Sequence, residues 1–384
     1  MTQAKVNNSF SIVRPVNDND IVEARSWIGK PIRFVGWNLE ATVDTIRHYA
    51  WGLGDDNPLW CNPEYGEKTQ YGTIIAPPTF LYSICDAVVA PGLVGLQPVY
   101  AGSEWDFYLP VKRNDTITYK AKCIDAQEFK GKSGGRMIMQ TGLIEYFNQN
   151  NEKVAQVRSN TWRLGRKGTS EGLAYKPRQR YQYSEAEMKE IENGVRSEIR
   201  RGEDVRYWEN VNVGDSITPV VKGPLDRITM TCYYAGVPGT SGYRASELRW
   251  KNWIRARENP ELLPNNYDVS YYSEFTLPSE GHQDDTVAHD VGMPGAYDNG
   301  PQRIGWSTHL ITNWMGDDGW LEHINIQVRR PNLFGDTTWI KGTVTKTESI
   351  DDEYGRVYIS IEGHNQLGEL NTKGEARVKI QKKN

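Results

Sequence analysis

The stretch IGKPIRFVGWNLEATVDTIRHYAWGLGD, residues 28–55, decides the fold, because its pattern occurs twice in the chain. A short strand leads into an amphipathic helix that ends at Tyr49-Ala50. Residues 213–236, VGDSITPVVKGPLDRITMTCYYAG, repeat that order and end at Tyr234-Ala235. A self-match of this length makes the chain a tandem of two diverged copies of one unit.

Further matches lie downstream. Residues 108–129, YLPVKRNDTITYKAKCIDAQEF, and 328–349, VRRPNLFGDTTWIKGTVTKTES, both read Pro-x4-Asp-Thr and then alternate as a strand does. Pro110 pairs with Pro331 and Asp115 with Asp336 at one and the same offset. A second alternating strand follows in each copy, RMIMQTGLIEYF (136–147) and RVYISIEGHNQ (356–366), and each copy closes on a further strand. Between the matches each copy carries a segment that reads as an apolar, buried helix: PPTFLYSICDAVV (77–89) and GPQRIGWSTHLITNWMG (300–316). Pro78 and Pro301 stand near the helix starts, where a missing N–H costs nothing.

The offset between copies is larger for Pro110 and Pro331 than for Ala50 and Ala235, so the second copy gained a segment of roughly 37 residues after Ala235. The gained stretch, RASELRWKNWIRARENPELLPNNYDVSYY (244–272), is polar, aromatic and basic, and is expected to cover a site or to meet another copy in a homo-oligomer. The expected division is an N-terminal domain over 1–165, a charged linker over 166–200, and a C-terminal domain over 201–384 with an insertion at about 236–275. In the linker, Ser184 and Glu187 form a capping box for a helix.

Composition excludes several classes. The 384 residues are 38% hydrophobic and 24% charged, with a net charge of −4 and both signs mixed, which argues against a basic nucleic-acid face. The 13 Trp and 21 Tyr read as aromatic cores and interfaces. Cys61, Cys85, Cys123 and Cys232 show no CxxC spacing, and few scattered cysteines fit a reducing cytoplasm. The N-terminus has no charged-then-apolar signal pattern. The most apolar window, Ile74 to Leu96, is broken by prolines and Asp86, so it reads as buried protein rather than a membrane span.

The segment from Phe34 to Leu81, with Asp55-Asp56-Asn57-Pro58-Leu59-Trp60 at its centre, resembles the MaoC-like dehydratases and R-specific enoyl-CoA hydratases. The resemblance implies an α+β double hot dog fold, two antiparallel sheets each wrapped around a central helix. It also implies syn addition or removal of water at an enoyl or 3-hydroxyacyl thioester, carried by CoA or an acyl carrier protein, without a cofactor. That family reads Asp-x-Asn-Pro-x-His, and its double members have one working and one decayed half. Here Asp55, Asn57 and Pro58 fit, but Trp60 stands at the His position and Pro77-Pro78 replaces the His-Gly before the central helix. An indole offers only a donor N–H and carries no proton near neutral pH. The first half is therefore expected to be silent, with Asp55, Asn57 and Trp60 lining a substrate channel together with Trp306. An Asx turn explains Asp55–Pro58 equally well.

Carried onto GHQDDTVAHDVGMPGAYDNG (281–300), the same resemblance puts His282 at the His position, offset from Trp60 nearly as Pro331 is from Pro110. It puts Gly300 at the glycine that opens the central helix. The Asp position falls on Leu277, so Asp284, Asp285 or the inserted Asp268 would have to supply the carboxylate. Hydration needs a base for water, an acid for the α-carbon and a fixed donor for the enolate oxygen. A His near a carboxylate, with a backbone N–H at Gly300, would provide these. An ordinary polar loop also accounts for His282, and His309 reads as a hydrogen-bonded interior residue. The spacing of His282, Asp284, Asp285 and His289 matches no metal signature, and no metal is expected. A non-catalytic acyl-thioester-binding or partner subunit and a thioesterase are the competing readings.

Overall fold

The computed structural model describes residues 14–383 except 33, 35, 86, 94, 131–134, 166–176, 239–244, 260–277 and 291. Leu277, Asp268 and most of the inserted segment lie outside the described residues.

The first half opens with helix α1 (Asp18–Ser26) and strand β1 (Pro31–Ile32). Then come α2 (Val43–Gly52), the single turns α3 (Pro58–Cys61) and α4 (Pro63–Gly66), and a 3-10 turn at Pro78–Ser83. Strands β2 (Gln97–Phe107), β3 (Thr118–Lys130), β4 (Arg136–Phe147) and β5 (Lys153–Leu164) complete it. The linker carries α5 (Glu185–Arg196), and both bonds of the expected Ser184–Glu187 capping box are present. The second half holds β6 (Ser216–Lys222), α6 (Arg227–Gly236), α7 (Ser246–Glu258), α8 (Asp285–Asp290) and α9 (Gly300–Met315). It ends with β7 (Trp320–Val328), β8 (Thr338–Ser349), β9 (Tyr354–Asn365) and β10 (Leu370–Gln381).

The ten strands of the described residues form one antiparallel sheet in the order β1-β3-β4-β5-β2-β7-β10-β9-β8-β6. Each half supplies five neighbouring strands, and the halves join edge to edge where β2 pairs with β7, from Gly102 opposite Gln327 to Asp106 opposite His323. Gly102 sits at a bulge between β2 and β5, with φ +133, and a side chain there would collide with the Ile326 carbonyl across the seam. The alternation read from sequence is the alternation seen: Ile144 and Tyr146 of β4 and Val357, Ile359 and Ile361 of β9 turn into the core. That core runs unbroken through both halves, from Ile46 and Phe80 to Ile311 and Ile361. No helix among the described residues is long and apolar enough to cross a membrane.

The two central segments differ. In the second half, α9 is buried along its whole length, as expected, yet it is not apolar all round. Gln302, Arg303, Ser307, Thr308, His309, Thr312 and Asn313 are buried with its apolar residues. Each needs partners, and Arg303, for example, pairs with Asp298 and donates to the Asn371 and Arg330 carbonyls. In the first half the expected helix over 77–89 is corrected to a 3-10 turn, Pro78–Ser83, followed by irregular chain. Thr, Phe, Tyr, Ser, Ile, Cys and Val are weak helix formers, so little holds a helix there. Tertiary bonds decide instead: the Tyr82 hydroxyl meets the Tyr100 and Ser103 hydroxyls, each at 2.8 Å, and accepts from Trp105 Nε1 at 2.9 Å.

Candidate active site

In the second half a 3-10 turn, Pro278–His282, leads into α8. It packs on the loop that enters α9: His282 Nδ1–H donates to the Tyr297 carbonyl at 3.1 Å, three residues before the helix begins. This fixes the tautomer and leaves Nε2 as a lone-pair nitrogen. The ring lies against Tyr297, with centroids 4.3 Å apart, and its centroid is 6.4 Å from that of Tyr234. Burial drives the imidazole down to about 4, although the Tyr297 and Asp298 backbone acts to raise it. His282 is therefore neutral at physiological pH.

Neither Asp284 nor Asp285, the carboxylates expected beside His282, bonds directly to its ring. Asp284 Oδ1 accepts from the N–H groups of Thr286 and Val287 at 2.8 and 3.1 Å, capping α8. Asp285 accepts from Ala296 N–H at 2.7 Å and from Arg180 at 3.1 Å, tying α8 to the α9 entry loop and to the linker. Orphan N–H groups at a helix start are the nearest donors available to Asp284. Gly300 does open α9, and a Cβ there would come 2.6 Å from the Tyr100 ring of the first half, so only glycine lets β2 lie this close.

In the first half Asp55 is buried at the end of α2. Its oxygens accept from Asn57 N–H and from Trp60 Nε1, each at 3.0 Å. Asn57 Oδ1 in turn accepts from Leu59 N–H at 3.0 Å and caps α3. The Asx turn and the Asp–indole bond thus coexist.

Asp55 also joins a buried polar cluster that sequence reading missed. Lys222 Nζ, at the end of β6, donates to the carbonyls of Leu53 and Gly54 and to His309 Nδ1 at 2.9, 3.1 and 2.7 Å. The His309 proton is therefore on Nε2, which lies 3.1 Å from Glu198 Oε1 and 3.6 Å from Asp55 Oδ1. Asn313 Nδ2 donates to the same Glu198 oxygen at 2.8 Å. Burial lowers Lys222 to about 8 against the raising charges of Asp55, Glu198 and Asp56. Burial would raise Glu198, but His309, Lys222 and Asn313 outweigh it and hold the carboxyl at about 2. The cluster pins the first-half motif, the linker and the α9 helix to one another. A lysine closing the apolar run Val220-Val221 was its sequence signal. The reading of His309 as a bonded interior residue agrees with its place here.

Beside the cluster lies a small cavity of about 40 Å³, open in part to solvent. Asn57 and Trp60 line it, with Pro77 and Pro78 at the start of the 3-10 turn, Phe107 and Val154 of the sheet, and the Thr312–Gly316 end of α9. Asp55 stands behind Trp60, and Trp306 is buried elsewhere in the core. His282 meets α9 at its N-terminal end and the cavity meets it at its C-terminal end, and the 16 residues of the helix span about 24 Å.

The fold finds counterparts in known proteins. Residues 26–157 match the family model for the FAS1-like dehydratase domain region. A structure described as a MaoC-like dehydratase superposes with a TM-score of 0.62 at 13% identity, over 94% of this chain and 100% of that one. A MaoC domain protein from Chloroflexus aurantiacus superposes with a TM-score of 0.56 at 11% identity, over 93% and 96% of the two chains. A double hotdog-fold protein from Mycobacterium tuberculosis gives 0.53 at 9%, over 91% and 96%. This chain has the double hot dog fold seen in the MaoC-like dehydratases, and the family-model match lies in its first half. Among curated sequences, a UPF0336 protein of Streptomyces avermitilis is 32% identical over 86 residues, which are 21% of this chain and 57% of that protein. A UPF0336 protein of Thermobifida fusca is 26% identical over 99 residues, 24% of this chain and 65% of that protein. The chain thus spans about 57–65% of the length of these relatives.

Proposed function

We propose that the protein adds water to an enoyl thioester, or removes it from a 3-hydroxyacyl thioester, with His282 as the proton carrier and CoA as the preferred acyl carrier. The observation that carries this reading is His282 itself, a neutral imidazole anchored through Nδ1 three residues before a buried helix start. In the hydration direction Nε2 takes a proton from water as the water oxygen bonds to the β-carbon. The alkene electron pair moves onto the thioester, and the enolate oxygen is met by the first N–H groups of α9 near Gly300. The imidazolium returns its proton to the α-carbon, so water is the only addition.

One observation favours a second reading, binding without turnover. Trp60 and both carboxylates near His282 are committed to structural bonds. A spectrophotometric screen of enoyl-CoA esters of graded acyl size separates the two. The hydratase reading expects loss of the conjugated thioester absorbance for at least one ester. Binding of esters with no absorbance change at any size would overturn it in favour of the binding subunit.

A further inference from the structure

We infer that Tyr100 of the first half selects the substrate of the second, admitting acyl groups with an unbranched α-carbon and excluding α-methyl ones. This rests on the turnover proposed at His282 and names the substrate class of that same site.

The N–H groups at the α9 entrance place the thioester carbonyl. Asn299 N–H donates to Gln302 Oε1 and Gln302 N–H to the Asn299 carbonyl, each at 2.9 Å, while Pro301 has no N–H. Gly300 N–H takes no partner among the described residues, and Gly300 is half-buried where Gln302 is fully buried. It is the donor that a carbonyl oxygen can reach at about 3 Å. Tyr100, itself half-buried, stands over it. A Cβ on Gly300 would lie 2.6 Å from Tyr100 Cδ1, 2.9 Å from its Cβ and 3.0 Å from its Cγ, so ring and root both touch the glycine. The ring is not free to swing. Its root is held in β2 opposite Thr161 of β5, and its hydroxyl meets that of Tyr82 at 2.8 Å. Tyr82 is pinned in turn by the Ser103 hydroxyl at 2.8 Å and by Trp105 Nε1 at 2.9 Å. A carbonyl carbon at Gly300 has two arms. The sulfur arm leaves toward solvent with its carrier, so the α-carbon arm runs along the Tyr100 ring toward the buried Tyr82 and Trp105. A hydrogen on that carbon fits beside a ring in contact, whereas a methyl group needs room that a pinned ring does not yield.

The test compares crotonyl-CoA with tiglyl-CoA, its 2-methyl homologue, in the full-length protein and in Tyr100→Val. The intrinsic effect of the methyl group on reactivity is common to both proteins and cancels when their tiglyl-to-crotonyl ratios of kcat/KM are compared. Valine suits a strand, and the Tyr82 hydroxyl keeps its Ser103 and Trp105 partners, so no polar group is orphaned. Tyr100→Val should raise the ratio by about 10- to 200-fold, the range for one methyl-sized group in an apolar pocket. Tyr100→Leu should raise it less and serves as the test if valine lowers the melting temperature. Tyr100→Phe keeps the wall and should keep the parent ratio within a few-fold. A parent-like ratio in a variant without the ring, with melting temperature close to the parent, overturns the inference and leaves His282 standing. If neither ester is converted, the turnover reading fails for them, and the ratio of Kd values from calorimetric titration of the same two esters replaces the kinetic one. The same rise is then expected, and no rise, or no binding of either ester, overturns the inference.

Discussion

Asp55–Cys61 in the first half and Pro278–Asp290 in the second occupy corresponding places in the repeat, and on the proposed reading each keeps one member of an acid–base pair. The first keeps the carboxylate, Asp55, and puts Trp60 where a proton carrier would be. The second keeps the imidazole, His282, and has Leu277 at the carboxylate position. What replaces the missing partner sets the chemistry of the one that remains. Asp55 is satisfied by an indole N–H and a backbone N–H, neither of which transfers a proton near neutral pH. His282 is anchored by a carbonyl rather than a carboxylate, so no full negative charge offsets its burial, and it sits at about 4. On the proposed reading, one half keeps a carboxyl group without a proton carrier, and the other a proton carrier without that carboxyl group.

Removing the carrier is the most severe way to probe this asymmetry. His282→Ala should lower turnover by a factor of about 10² to 10⁴ on whichever enoyl thioester is converted. Trp60→Ala should leave turnover within a few-fold, since an indole moves no proton. Turnover that survives His282→Ala, or vanishes with Trp60→Ala in a folded protein, would exchange the roles assigned to the halves.

The buried cluster gives the next largest effect, on stability rather than rate. Lys222→Met leaves the Leu53 and Gly54 carbonyls and His309 Nδ1 without their donor and removes a positive charge near Glu198 and Asp55, and should cost about 1–3 kcal/mol in urea unfolding. Adding Glu198→Gln should recover part of that loss, because two neighbours in one network do not act additively. Equal and additive losses would mean that the cluster is not one unit.

A smaller effect decides what the carboxylates beside His282 do. Asparagine caps a helix about as well as aspartate, so Asp284→Asn should leave both melting temperature and turnover nearly unchanged. Asp284→Ala should cost about 0.5–2 kcal/mol of stability. If Asp284→Asn instead slowed turnover by the factor expected of His282→Ala, with stability intact, its charge would be part of the chemistry.

Much of this is legible in the sequence alone. The tandem architecture follows from two kinds of repeat, the shared offset of Pro110 to Pro331 and Asp115 to Asp336, and the period-2 strands, because burial on one sheet face writes itself directly into alternation. The position of His282 beside the α9 entrance follows from the same offset. The first-half helix is misread because Phe80, Ile84 and Ala87 fit helical spacing, while the bonds that override it tie Tyr82 to Tyr100, Ser103 and Trp105, on a strand well downstream. Lys222, His309 and Glu198 stand far from one another in sequence, on a strand, a helix and a linker. No local pattern could report that they meet, and only the fold brings them together.

The smallest expected effect separates the two halves by pH. His282 is about 4 in the folded protein against 6.5 when unfolded, so the unfolded chain binds more protons throughout that interval. Its contribution is therefore intact above 6.5 and is lost as pH falls toward 4. Glu198 is about 2 when folded against 4.5 when unfolded, so the cluster's contribution is intact above 4.5 and is lost as pH falls toward 2. Melting temperature should then decline in two stages on acidification, the His282 region first and the Glu198 cluster later, by about 2–4 °C for each kcal/mol lost. His282→Gln should flatten the upper stage alone and Glu198→Gln the lower stage alone. A single decline near pH 4.5 that neither variant alters would show that other carboxylates govern acid stability and that this contrast between the halves does not extend to their titration.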